Sequence, residues 1–244
     1  MNLRNKFLPI LLTVLSVNPT WACEKCKALD GPNVKIESTS ARYDKDLDSI
    51  IMEINVKGKA GGTIPKKIGK LDGASVLGYV FPTSLKPTDV GFSETEGIVA
   101  LALTSHPDFD DTPLWDENRD DKYDNDGGVW HPHWVVLNED KRVDGGLSVK
   151  QFKKGDPSVK LPPTNPGMPM FMDSPGFQVV TRDSTIRVIV PSFALNHKKD
   201  FKFDAVVCFM KVNTSKKELP MLGVYKVYSV ASGKLTLPYE VSLK

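Results

Sequence analysis

The chain has 244 residues, 40% of them hydrophobic, with 32 basic against 30 acidic side chains. That length provides enough interior for one large or two small domains. The near balance of charge argues against a general nucleic-acid or anionic-membrane binder, which needs a net basic face.

Residues 1–22, "MNLRNKFLPILLTVLSVNPTWA", have the layout of a secretory signal peptide: Arg4 and Lys6, an apolar run from Phe7 to Val17, and a small residue at Ala22. The run is short for a transmembrane helix. The expectation is a cleaved signal and a periplasmic or extracellular protein, 23–244, in which the loss of Arg4 and Lys6 leaves the two charge signs equal. A lipid anchor at Cys23 is the one route to membrane attachment, although "TWA" lacks the residues a lipoprotein signal usually carries. "CEKC" gives Cys23 and Cys26 a C-x-x-C spacing, and Cys208 is the third cysteine. A structural disulfide is expected in an oxidising compartment, within the motif or from one of its cysteines to Cys208. The functional alternative is a soft thiolate pair for Cu(I) or Zn(II).

The remaining segments are short and β-like. "SIIMEINVKG" (49–58), "SVLGYVF" (75–81), "GIVALALTS" (97–105), "WVVLN" (134–138), "GFQVVT" (176–181), "TIRVIVPSF" (185–193), "FKFDAVVCFMKV" (201–212) and "GVYKVYSV" (223–230) are rich in valine, isoleucine and aromatics, and turn residues separate many of them. No long capped segment of helical period follows the signal. These features predict an all-β protein, an antiparallel sandwich or barrel with long loops, in one domain. Residues 153–176 contain six prolines and are expected to form a crossover loop rather than a strand. Within it, Met168, Met170 and Met172 either pack on the core or offer thioethers to Cu(I).

Chemistry concentrates in 105–134, "SHPDFDDTPLWDENRDDKYDNDGGVWHPHW", within a long acidic loop (105–130) and the strand that follows it. This stretch holds three of the four histidines, and Trp115, Trp130 and Trp134. From Asp108 to Asp126 there are nine acidic residues and only two basic ones, Arg119 and Lys122. Carboxylates so crowded repel one another unless water or a cation screens them. Asp116, Asn118, Asp120 and Asp124 resemble the first half of an EF-hand calcium loop. Asp121 stands where that pattern has its turn glycine, and Gly127 where it has the distal glutamate. The resemblance therefore implies a calcium loop, to which Asp126 could add an oxygen, and not an EF-hand domain.

In a strand, residues i and i+2 share a face. An extended "WHPHWVVL" places His131 and His133 side by side on one face, with Trp130, Pro132 and Trp134 forming an apolar wall on the other. Pro132 biases His131 toward extended geometry. If the strands 97–105 and 134–138 are neighbours, His106 comes near the pair as a third ligand. Three imidazoles suit copper or zinc, and the acidic loop could add an aspartate. His197 reads as a surface residue.

The run "HPHWVVLNEDKRVDGG" resembles the first cupin motif, with Glu139 and Gly145 or Gly146 in the glutamate and glycine places and the histidine-to-glutamate gap one residue longer than usual. That resemblance implies His131, His133 and Glu139 as ligands. "H-x-H-W" also resembles the zinc strand of alpha-type carbonic anhydrases. Each resemblance is confined to a short segment, and neither family is claimed.

The leading expectation is an exported metal-binding protein that carries, senses or buffers copper or zinc. A second is a metal-dependent hydrolase or oxidase on the same histidines, with Asp108, Asp110 or Asp111 as proton acceptor. A third is a calcium-stiffened, non-catalytic module presenting Trp115, Trp130 and Trp134 to a sugar or a protein partner.

Overall fold

The computed structural model describes residues 23–109, 111, 116, 119–122 and 127–243. The segment read as a signal peptide lies outside them. The strands are β1 (Ile36–Asp44), β2 (Ser49–Val56), β3 (Ser75–Pro82), β4 (Ile98–Ser105), β5 (His131–Glu139), β6 (Leu147–Val149), β7 (Met172–Asp173), β8 (Val179–Arg182), β9 (Thr185–Pro191), β10 (Lys202–Phe203), β11 (Val206–Val212), β12 (Leu222–Val230) and β13 (Tyr239–Glu240). A five-residue helix, α1 (Glu24–Ala28), precedes them. No helix among the described residues is long and apolar enough to cross a membrane.

The protein is all-β and antiparallel, as its short β-branched runs predict. Strands pair in the order β4-β3-β11-β12-β6-β5, and β5 pairs back onto β4, closing a six-stranded barrel. A second sheet, β1-β2-β9-β8, lies against it, and β10 pairs with β13. The expected strand at 176–181 begins only at Val179, and the run 201–212 is two strands, because Asp204 turns its carboxylate onto the Ala205 and Ser232 backbone N–H groups.

Strand alternation separates two apolar clusters. Leu77, Tyr79 and Phe81 of β3, Leu101 and Leu103 of β4, and Trp134 and Val136 of β5 meet Ile50, Met52 and Ile54 of β2 and Val188 of β9 in the layer between the sheets. The intervening residues, among them Val80, Ala102, Val135, Cys208 and Met210, face the barrel interior. Both faces of β3 and β4 are covered, so their sequences read as continuous apolar runs.

The proline-rich crossover is not wholly loop. Its last turn contributes β7, which pairs with β5 through Trp134↔Asp173 and Val135↔Met172. The prolines stay outside this two-residue strand, where no ladder donor is lost. Its position carries Ser174 to His133. Cys23 and Cys26 form a disulfide, and Cys208 is a free thiol in the barrel interior, which burial pushes up to about 12.

Candidate metal centre

Antiparallel pairing of β4 with β5 sets Thr104 opposite His131 and Ala102 opposite His133. Both imidazoles project to the inner side of the barrel wall, with ring centroids 4.8 Å apart. His106 stands one residue past the end of β4, its ring stacked on Phe109 at 4.1 Å. The loop behind it closes tightly: the His106 N–H donates to the Gly127 carbonyl at 2.7 Å. Gly127 has φ +92°, and a Cβ there would lie 2.3 Å from the Phe109 carbonyl oxygen, so only glycine fits. Asp111 lies two residues beyond Phe109.

His106, His131, His133 and Asp111 together form a group that could hold a metal ion, with one donor atom from each lying within 4.8 Å of the others. All four are buried, the histidines to 2% exposure or less. Asp111 Oδ1 lies 3.3 Å from Nε2 of both His106 and His131 and 3.5 Å from that of His133.

Tautomers follow from the outer hydrogen bonds. Nδ1 of His106 lies 2.9 Å from the Phe109 carbonyl and Nδ1 of His131 lies 2.7 Å from the Val129 carbonyl. A carbonyl only accepts, so each Nδ1 carries the proton and each neutral ring turns an Nε2 lone pair inward. Yet these two Nε2 atoms are 2.7 Å apart. Two acceptors at that distance require a positive charge between or beside them. A proton on one ring would serve that pair, and the Thr104 hydroxyl, 3.3 Å from His131 Nε2, adds a weak donor. Neither reaches His133 Nε2, which is buried without a hydrogen-bond partner, as is Asp111 Oδ1.

The electrostatics point the same way. Burial opposes a charge on His106, but the Asp111 carboxylate outweighs it and raises the imidazole above its ordinary range. Burial dominates at His133 and, with the charges of His131 and His106, lowers it to about 3 against the pull of Asp111. Burial would raise Asp111, yet His133 and His106 hold it well below the usual carboxylate range. The centre therefore keeps a carboxylate and an uncharged imidazole face to face in a buried site.

The other sequence-derived candidates fall elsewhere. Glu139, the ligand implied by the cupin resemblance, is exposed at the far end of β5; six residues beyond His133 is about 20 Å of strand. Trp130 and Trp134 do not form a ligand surface. Both are buried in the layer between the sheets, where Trp130 donates to the Gly61 carbonyl and meets Tyr79 edge-on. Asp108 accepts from the backbone N–H groups of Ile68 and Gly69, pinning that loop. Asp116 accepts from the N–H groups of Arg119, Asp120 and Asp121, and Asp120 accepts from that of Lys122. Asp110, Trp115, Asn118, Asp124 and Asp126 lie outside the described residues. His197 contacts the Ser192 hydroxyl, away from the centre. Met168, Met170 and Met172 line a void of about 20 Å³ beside His106, Asp111 and His133, joined there by Met221.

Asp111 is the member of this group that sequence reasoning assigned to another role, proton acceptor. As one of nine acidic residues it carries no distinguishing neighbour, and only its position in three dimensions, beside the three rings, selects it. Compared with known proteins, the chain matches no family model, no curated protein and no solved structure.

Proposed function

We propose that this is an exported metalloprotein whose His106, His131, His133 and Asp111 hold one divalent transition-metal ion, zinc or copper. The observation that carries the reading is the pair of inward lone pairs on His106 and His131, 2.7 Å apart, beside the unpartnered His133 Nε2 and Asp111 Oδ1. One cation satisfies all four atoms at once. Donors placed tetrahedrally around zinc stand about 3.3–3.5 Å apart, and the three distances from Asp111 match that edge. The His106–His131 edge is shorter, so binding would part these rings by several tenths of an ångström. The carbonyls behind two of the rings act as the outer partners that fix a metal-ligating histidine. Export is supported by the signal-like layout of residues 1–22 and by the Cys23–Cys26 disulfide, a bond of oxidising compartments.

Burial of every ligand favours an ion that stays over one passed readily between partners. The deciding experiment is elemental analysis of the untagged protein purified from its native compartment. One zinc or copper per chain is expected; none, with failure to take up either on titration, removes the proposal. A second reading, a metal-dependent enzyme, is favoured by one specific observation: a cavity in the barrel reaches His133 and Thr104.

A further inference from the structure

The barrel encloses a cavity of about 240 Å³. Its walls include Val80, Ala102, Val135, Val149, Val206 and Val224. Side-chain size on β4 leaves this space open. Along "VALALT" the larger residues, Val99, Leu101 and Leu103, point to the layer between the sheets, and the smaller ones, Ala100, Ala102 and Thr104, point inward. Gly78 of β3 makes room for the Met210 side chain on that wall, which a Cβ there would meet at 2.8 Å.

The cavity is polarised along the barrel. Strand register places Leu222 of β12 opposite Val212 at the end of the barrel that holds the histidines, and Val230 opposite Val206 at the other end. Thr104 and His133 are the polar side chains on its lining, apart from the Cys208 thiol. Lining residues Val227, Val230 and Leu235 are exposed or half-buried, so the space also reaches toward the surface.

We infer that the barrel binds a small apolar molecule, aromatic or branched aliphatic, whose single polar group points toward His133 and the metal. The inference deepens the metal-centre reading and rests on it for the placement of that polar group. An aliphatic cavity of about 150 Å³ stays dry and takes up benzene. By that scale, the larger space here suits about ten non-hydrogen atoms. An apolar wall gives water few partners, so a hydrocarbon body displaces little that is well bound. The Thr104 hydroxyl and the ion would order the one polar end, the arrangement expected where a few convergent polar groups set orientation in a greasy site.

Naphthalene and 2-naphthol serve as probes, titrated into chelator-treated protein and into protein loaded with cobalt(II). Expected are saturable binding of both probes to both forms, and a change in the visible cobalt bands with 2-naphthol. Val206→Phe and Val149→Phe, which fill the cavity from different strands, should weaken binding at least tenfold while each still takes one cobalt per chain. Saturable 129Xe chemical shifts in wild-type protein test the cavity without any substitution. Absence of xenon and probe binding overturns the inference, as does probe binding that survives both fillings in folded, cobalt-loaded variants. Binding that leaves the cobalt bands unmoved overturns the placement beside the metal. A chain that takes up no metal yet binds both probes refutes the metal centre and retains the apolar site, so the two failures are distinguishable.

Discussion

Two stretches of one loop region, the buried centre and the acidic turn at Asp116, look equally chemical in sequence and differ completely in three dimensions. Asp116 satisfies its carboxylate with three backbone N–H groups of its own turn. Asp111 is buried, with an oxygen that has no hydrogen-bond partner and faces three ring nitrogens. Density of acidic residues does not make a cation site. What makes one is a set of donor atoms that the fold holds together and leaves unsatisfied.

The comparison breaks most sharply at the histidines. His131→Ala and His133→Ala should each lower zinc or copper affinity by more than about a hundredfold, because changes even to outer-shell partners cost ~10–100-fold; competition titration against a chelator of known affinity checks this. If both variants bind as well as wild type, the centre is not the site. Acidity should act next. Metal binds deprotonated imidazole, so affinity should fall as pH drops through the histidine range, about 6.5. The raised basicity of His106 places its share of that competition at the upper end of the range. A pH-independent affinity between 5 and 8, as rough bounds of histidine titration, would exclude the imidazoles.

Gly127→Ala forces a side chain into a left-handed backbone position with the Phe109 carbonyl in its path. A loss of about 1–3 kcal/mol in urea denaturation is expected, together with weaker metal binding, since the same turn holds His106. Unchanged stability would mean that the loop closes differently. Asp116→Ala should have the smallest effect, a stability change within about 0.5 kcal/mol and metal binding like that of wild type. A large loss of metal on this substitution would return function to the acidic turn.

Much of this architecture was legible in the sequence. Period-two alternation across "WHPHWVVL" placed the two imidazoles on one face, and the pairing of the flanking strands brought His106 to them. β1 was missed because "IESTSARYD" is mostly polar. It is an edge strand of the outer sheet with much of its length half-exposed or exposed, so no apolar run announces it. Asp111 could not be chosen among its acidic neighbours without knowing where the loop closes. The cavity was written in the alternation of leucine with alanine along β4, but a pattern of small residues acquires meaning only when the strand is known to curve around an interior.

The consequence of β5 having one imidazole-bearing and one tryptophan-bearing side lies in its intolerance of length change. Deleting a single residue between Trp130 and Trp134 would invert every side chain downstream on that strand, driving an indole into the lumen and an imidazole between the sheets. Substitutions of similar bulk can be absorbed along this strand, whereas an indel there would swap its two faces in one step.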